Sequence, residues 1–353
     1  MSGLPETGAT AERRGRPALR AGLTSTRLPA AALGAAALGG LASLSFWAPT
    51  FWVSIAIQAL IFAIFAMSID LLLGYGGLAS FGHAAFYGAG ALACAKLALV
   101  SPNLGLLPLL AGSIAVAALL AAPIGALSLR VRGVYFLMLT LAFAQVLWGF
   151  AFQAPREWLG GSDGLIGVDR PPLDLLERAD EQLWALFGVS PRAVGTRHLY
   201  NLTLILSVLV LCFLFLLVRS PFGRTLEGIR ENEHRMRALG CPTFRYQLAG
   251  FVVAGSLAGL AGALLTLFNG SAQSGSLYWT NSGLVLIAAI VGGTRTLVGP
   301  AVGAFVVLIV QDALSTYSQR WQLLLGALFI AFVLFLPNGL VSVGRALRAL
   351  RPR

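Results

Sequence analysis

Lysine occurs once in these 353 residues, at Lys96, and cysteine three times, at Cys94, Cys212 and Cys241. A phosphate-cradling loop of the G-x-x-x-x-G-K-[ST] kind needs its lysine, and Lys96 is followed by Leu97. The chain therefore has no ATP site of that kind. The cysteines are scattered, two in apolar runs and one in a polar insert, which gives neither a disulfide framework nor a metal site. No H-E-x-x-H stretch and no paired carboxylates within an apolar run occur, so the usual metal and acid–base arrangements of an enzyme are missing. Charge is sparse as well: 11% of residues are charged, where soluble domains carry roughly 25%.

What fills the chain instead is hydrocarbon, 57% of residues. Apolar runs of about 20 residues, the length that crosses roughly 30 Å of lipid, recur along most of it. They do not alternate apolar with polar residues as barrel strands do, and backbone in lipid must satisfy itself, so they are helices. The expected spans are 28–48, 51–73, 84–100, 104–129, 133–153, 199–218, 248–269, a glycine-interrupted pair at 282–291 and 298–317, and 321–341. The fold class is all-α, a polytopic membrane bundle of about ten transmembrane segments with Gly-broken helices. The run 282–291 is too short to cross alone and reads as a half-helix whose partner begins after Gly292 and Gly293.

Residues 1–27 form an arginine-rich tail, 28–341 the membrane domain and 342–353 a second basic tail. The first apolar run exceeds the roughly 7–15 residues of a signal-peptide core, which favours a retained helix over a cleaved leader. With both termini inside, the inner segments hold 18 of the 25 basic residues, the bias expected of cytoplasmic loops. The net charge of +11 thus reflects orientation in the bilayer and not nucleic-acid binding.

Four kinds of stretch stand out from the hydrocarbon. Asp70-Leu-Leu-Leu-Gly-Tyr-Gly-Gly-Leu-Ala-Ser-Phe-Gly-His83 carries glycines at 74, 76, 77 and 82, each of which weakens a helix by about 1 kcal/mol relative to alanine. It reads as a bend that is a tight inner turn, a lining of the solute path, or both, with Gly76, Gly77, Ser80, His83 and Gly292, Gly293, Thr294 as path candidates. Asp70 is either a solvated residue at a span end or an inward carboxylate, partnered by Tyr75, Ser80 or His83, of the kind a proton-coupled transporter needs. His83 reads as a structural hydrogen-bonding group. Gly160-Gly-Ser-Asp-Gly164 matches G-x-S-x-G, but it lies in the polar outer segment 154–198 and lacks the strand-turn-helix setting of a nucleophile elbow. Gly255–Gly259 and Gly299–Gly303 have the small-xxx-small spacing that lets helix backbones approach, more simply within this chain than in a dimer seam.

The fourth stretch, 219–247, is the one long polar insert with a helical charge pattern. Pro221-Phe-Gly223 is expected to end the preceding span and 224–239 to form one short helix. That helix carries Arg224, Glu227, Arg230, Glu231, Glu233, Arg235 and Arg237, with Leu239 at its end and Gly240 stopping it. A short rigid rod on the inner face suits force transmission from a soluble motor.

The run SPFGRTLEGIRENEHRMRALGCPTFRYQLAGFVVAGSLAGLAGAL resembles the cytoplasmic loop and following helix of M-type permease subunits of branched-chain amino acid ABC importers. LLLGYGGLASFGHAAFYGAGA, RGVYFLMLTLAFAQVL, GGSDGL and IVGGTRTLVGPAVGAF are similar to further blocks of that family, in the same order. The resemblance spans about 51–340. It implies a half-transporter in the bacterial inner membrane, without cofactor or metal, that pairs with an H-type permease subunit and two ATP-binding subunits. An extracytoplasmic solute-binding protein would deliver the solute. ATPase contact would fall at 231–240, and Gly160, Gly161, Ser162, Asp163 and Gly164 would face the binding protein. Two departures bear on the solute, Asp70 in place of a common Asn and a Ser/Gly-rich 269–281 in place of a proline-containing stretch. The solute is expected to be leucine, isoleucine or valine, with urea or short amides as the alternative within the family.

Overall fold

The computed structural model describes residues 39–41, 43–44, 47–168, 191–317, 320–335 and 339. The two tails, most of the expected first span, 169–190 and the end of the last span lie outside these residues. Met1–Trp47 forms one unit and Ala48–Arg353 another, and the described positions of the first are helical.

The larger unit is built from helices. α1 (Thr50–Asp70) runs into a π-helical turn (Leu71–Tyr75), followed by α2 (His83–Val100), α3 (Leu106–Ser128), α4 (Val134–Gln153) and the short α5 (Arg156–Leu159). Then come β1 (Leu165–Ile166), α6 (Pro191–Arg219), α7 (Pro221–Glu231), α8 (Glu233–Ala238) and α9 (Thr243–Asn269). The chain continues through β2 (Ser271–Ala272), a 3-10 turn (Ser274–Leu277), α10 (Trp279–Gly292), α11 (Val298–Tyr317) and α12 (Trp321–Phe335). Among the described residues 7 helices are long and apolar enough to cross a membrane, and the 14-residue α10 is not. The expected half-helix is therefore present, and it is followed by a tight turn and a full-length partner.

Burial separates an inner set of helices from an outer one. In the most apolar window of the Thr50–Tyr75 span 83% of residues are buried, against 22% in α4 and 22% in α6. The outer faces of α4 and α6 expose Tyr135, Val146 and Phe150, and Leu209 and Leu216. Such faces are at rest only against hydrocarbon or another apolar surface. α9 lies along α2 and α3, and α1 packs on α6, α9 and α11. Glycine permits this closeness. A Cβ on Gly262 would lie 1.8 Å from the carbonyl oxygen of Tyr87, and one on Gly90 2.2 Å from that of Gly259. Gly255 faces Ala121 and Phe86, and Gly303 faces Ala288 and Gly292, so both small-residue stripes are used inside this chain.

Three details differ from the sequence expectation. α6 begins at Pro191, eight residues before the expected start, because the amphiphilic PRAVGTRH stretch continues the helix beyond its apolar part. Pro221 does not end a helix but begins one, at the first turn of α7, where its missing N–H costs nothing and Ser220 caps Gly223 N. The insert also forms two helices instead of one. Asn232 adopts an extended conformation (φ −158°, ψ 97°) and its side chain accepts from Arg235 N, starting α8. The competition of an Asn side chain with the helical backbone explains the break.

Candidate functional site

The buried carboxylate of Asp70 ties the end of α1 to the turn between α10 and α11. Oδ1 accepts from Arg295 N at 3.0 Å and Oδ2 from Leu297 N at 3.4 Å. Both donors belong to non-glycine residues in the left-handed region, Arg295 at φ 69° and Leu297 at φ 57°. That conformation is costly outside glycine, and it holds here because the carboxylate collects the amides it presents. Tyr75 Oη donates to the Arg295 carbonyl at 2.9 Å. Gly74 leaves the room: a Cβ there would stand 2.3 Å from Asp70 Oδ1. Thr296 completes the turn, accepting from Gly299 N at 2.9 Å and donating to the Gly293 carbonyl at 2.8 Å. Asp70 is fully buried, so the solvated-boundary reading is corrected, and its hydrogen-bond partners are turn amides rather than the side chains of Tyr75, Ser80 or His83. A residue near a span end can be buried when a neighbouring turn supplies donors, which no single-span pattern reveals.

The insert is fastened to the same knot. Leu226 and Ile229 bury one face of α7, and Phe222 meets Tyr246 at the start of α9 with ring centroids 5.7 Å apart. Flanking that face, Glu227 pairs with the Arg295 guanidinium, and Arg230 donates to the Gly74 carbonyl while its methylenes cover Gly77 (φ 69°). Glu233 accepts from Arg237 at 2.6 Å and from Arg132 of the α3–α4 connection at 3.0 Å. Thus 70–77, 130–133, the insert and 293–297 meet at one end of the bundle. Arg130, Arg132, the insert and Arg295 were expected on one side, and they are at one end. Arg224, Leu239 and Gly240 face outward, with Leu239 76% exposed and Gly240 at φ 79° ending α8, while Glu231, also exposed, borders the space between the insert and the bundle.

The remaining path candidates fall at several levels. Gly76 and Gly77 border the insert. Ser80 is buried and accepts from Gly82 N. His83 is buried, stacked on Phe65 with centroids 5.8 Å apart, and Nε2 lies 3.0 Å from Ser68 Oγ. Ser68 spends its single proton on the Phe65 carbonyl, so His83 Nε2 donates to it. This is the structural role expected of His83. Gly292 packs on Gly299, and Gly293 lies beside Gly339; Thr294 is half-buried in the turn. Sequence reasoning undervalued Arg295, which it read only as an inner-face charge. A lone arginine one residue beyond a pair of glycines was the signal available.

At the opposite end, about 30 Å away along the 21 residues of α1, the loop 160–168 folds on itself. Gly160, Gly161, Gly164 and Gly167 all have positive φ. Arg156 pairs with Asp163 at 2.9 Å, beside Ser162. β1 then pairs antiparallel with β2, Leu165 opposite Ala272, and Val168 N donates to the Gly270 carbonyl. Lys96 Nζ donates to the Glu157 carbonyl at 2.6 Å. The ribbon was not foreseen, since two residues per strand carry no periodicity. The Gly164→Ala variant should open it: the added carbon would lie 2.3 Å from the Ala272 carbonyl oxygen, and the left-handed backbone adds roughly 1–2 kcal/mol. Amide exchange at Val168 is expected to rise roughly tenfold; unchanged exchange in the variant would show the ribbon to be held otherwise.

Residues 51–333 match the family described as the branched-chain amino acid transport system permease component. The chain is 30% identical over 311 residues to the high-affinity branched-chain amino acid transport system permease protein LivM of Salmonella typhimurium, covering 83% of this chain and 70% of that protein. The LivM of Escherichia coli K12 gives the same identity and coverage. The autoinducer 2 import system permease protein LsrC of Photorhabdus laumondii is 31% identical over 142 residues, 37% of this chain and 38% of that protein. No solved structure matches. An all-helical multi-pass chain, with an ordered insert tied to its interior, that matches this family over most of its length belongs to the branched-chain amino acid transport permease family: it is an ABC-importer permease, a transport subunit rather than an enzyme.

Proposed function

We propose that the chain forms half of the translocation path for branched-chain amino acids in a bacterial cytoplasmic membrane, with ten crossings and both termini inside. An H-type permease subunit supplies the other half. Two ATP-binding subunits dock on α7 and α8, with Arg224, Glu227, Arg230, Glu231, Glu233, Arg237, Leu239 and Gly240 forming the coupling surface, and a solute-binding protein docks on Gly160–Gly164. Gly76, Gly77, Ser80 and His83, with Gly292, Gly293 and Thr294, flank the path.

The observation that carries this reading is the double tie of α7, by Glu227 to Arg295 and by Arg230 to Gly74. A rod held at two points by the interior moves it as a rigid body. Displacing α7 shifts the α10–α11 turn and the π-helical turn together, and with them the segments on either side of Asp70. Asp70, satisfied by backbone amides, serves this reading as a joint and not as a proton carrier. The relative that imports autoinducer 2 takes a different solute on a related scaffold, and urea or a short amide remains the alternative cargo.

The test is co-expression with candidate ATPase, permease and binding-protein subunits from the same source. Two nucleotide-binding subunits should co-purify, and ATP hydrolysis should respond to loaded binding protein. Glu231→Arg with Gly240→Pro should remove that response. Reversing one partner of the half-exposed Glu227–Arg295 pair should lower coupled hydrolysis severalfold, and the swap Glu227→Arg with Arg295→Glu should recover part of it. Solute uptake by the wild type without ATP would end this reading, and a panel of leucine, isoleucine, valine, urea and acetamide assigns the cargo.

A further inference from the structure

We propose that the cavity between the insert and the bundle is a binding site for a free amino acid with an aliphatic side chain, and that filling it restrains the insert, so that imported solute slows its own uptake from inside. The solute class and the inward placement rest on the function proposed above; the site itself rests on its own chemistry.

The cavity has a volume of about 430 Å³, within the roughly 300–1,000 Å³ of small-molecule sites. One wall is the insert from Ile229 to Glu233; the others are Gly76–Leu78, the α3–α4 connection and Gln247 of α9. Gln247 is the telling residue. It is nine-tenths buried, it opens into this cavity, and its amide has no hydrogen-bond partner among the described residues. Its amide atoms reach the cavity, where two N–H donors and a carbonyl acceptor stand open to a visitor.

The rest of the lining narrows what that visitor is. Arg132 and Arg230 each use part of a guanidinium, on Glu233 and on the Gly74 carbonyl, and have N–H donors to spare for a carboxylate. The Glu231 carboxylate makes no ion pair among the described residues, and together with the Gln247 carbonyl it can receive an ammonium. Leu78, Leu129 and Ile229 give an apolar wall. A bare inorganic anion would leave that wall and Glu231 unused, and a simple cation would face two arginines. A zwitterion carrying hydrocarbon meets all three needs.

Because the walls come from both the insert and the bundle, the site exists only while α7 and α8 sit as they do here. A ligand that binds one arrangement and not the other shifts the balance toward it, by roughly elevenfold at ten times its Kd.

The full complex in proteoliposomes, with ATP inside and loaded binding protein outside, tests this. Luminal L-leucine at millimolar level should lower the initial uptake rate by about fivefold or more, whereas luminal isovalerate or isoamylamine, each lacking one charge, should not. The ratio of rates with and without luminal L-leucine should return to about one in Gln247→Leu. Calorimetric titration of the full-length chain in nanodiscs should show L-leucine binding weakened roughly tenfold or more in that variant. If Gln247→Leu does not accumulate, the analogue series on the wild type decides. Equal inhibition by luminal inorganic phosphate would make this an anion site and overturn the proposal, as would undiminished inhibition in Gln247→Leu. Absence of ATP-driven uptake in the wild type would instead defeat the function reading, with the titration still deciding the site. ATP-driven uptake indifferent to luminal L-leucine, without binding in nanodiscs, would defeat the site alone.

Discussion

Asp70→Ala is expected to abolish ATP-driven uptake and to leave little monodisperse protein after solubilisation, whereas Asp70→Asn should retain most of both. Alanine removes both acceptors of the Arg295 and Leu297 amides. A buried donor left without a partner costs roughly 1–3 kcal/mol, and here the turn would also keep two residues in the left-handed region with nothing holding them there. Asparagine keeps one carbonyl oxygen, enough for the shorter bond to Arg295 N, and gives up the longer one to Leu297 N. The pair of variants separates a joint from a proton carrier. A carrier needs the titrating carboxylate and would fail as asparagine, so loss of transport in well-folded Asp70→Asn would overturn the joint. Thermal unfolding of the purified chain, followed by intrinsic fluorescence, measures the folding side of the same comparison.

Gly262→Leu should prevent the bundle from assembling, and Gly262→Ala should lower its melting temperature by several degrees. A carbon at this position would lie 1.8 Å from the Tyr87 carbonyl oxygen and 2.9 Å from Ala91 N, and these are backbone atoms that cannot rotate aside. α9 and α2 would have to separate along their whole contact, which also breaks the Thr266 hydroxyl bond to the Ala91 carbonyl. Overpacking of a well-filled core costs roughly 1–3 kcal/mol, and displacing two helix backbones stands at the top of that range for alanine and beyond it for leucine. Gly149→Leu in α4 is the control, since nothing lies within 4 Å of a Cβ there. Size-exclusion profiles of the tagged full chain read both. A sharp, wild-type peak for Gly262→Leu would mean that α2 and α9 do not meet as described.

Much of this architecture was readable from residue order. Runs of hydrocarbon with glycine punctuation placed α1 to α4, α9 and α11 within a few residues. The shortness of the apolar stretch before Gly292 identified α10 as a half-helix. Boundaries failed where polar chemistry took over from hydropathy. α6 extends through an amphiphilic start, Pro221 opens a helix, and Asn232 divides one. The candidate site was legible in parts. Glu227 and Arg230 belonged to a charged rod, Arg295 to a set of inner-face charges, and Asp70 to an unusual bend, but nothing in their spacing joined them.

What residue order fixes by itself is the solvent each segment prefers: lipid for long apolar runs without charge, water for the arginine-rich insert and the basic tails. Those preferences follow from transfer free energies and act residue by residue. Which turn meets which carboxylate is a different kind of fact. Asp70 lies more than 200 positions from the amides it binds, and only the packing of α1 against α11, made possible by absent Cβ atoms, brings them within hydrogen-bond reach. The tertiary structure decided that contact because a hydrogen bond is short and directional, and no pattern along the chain encodes so local a meeting of distant groups.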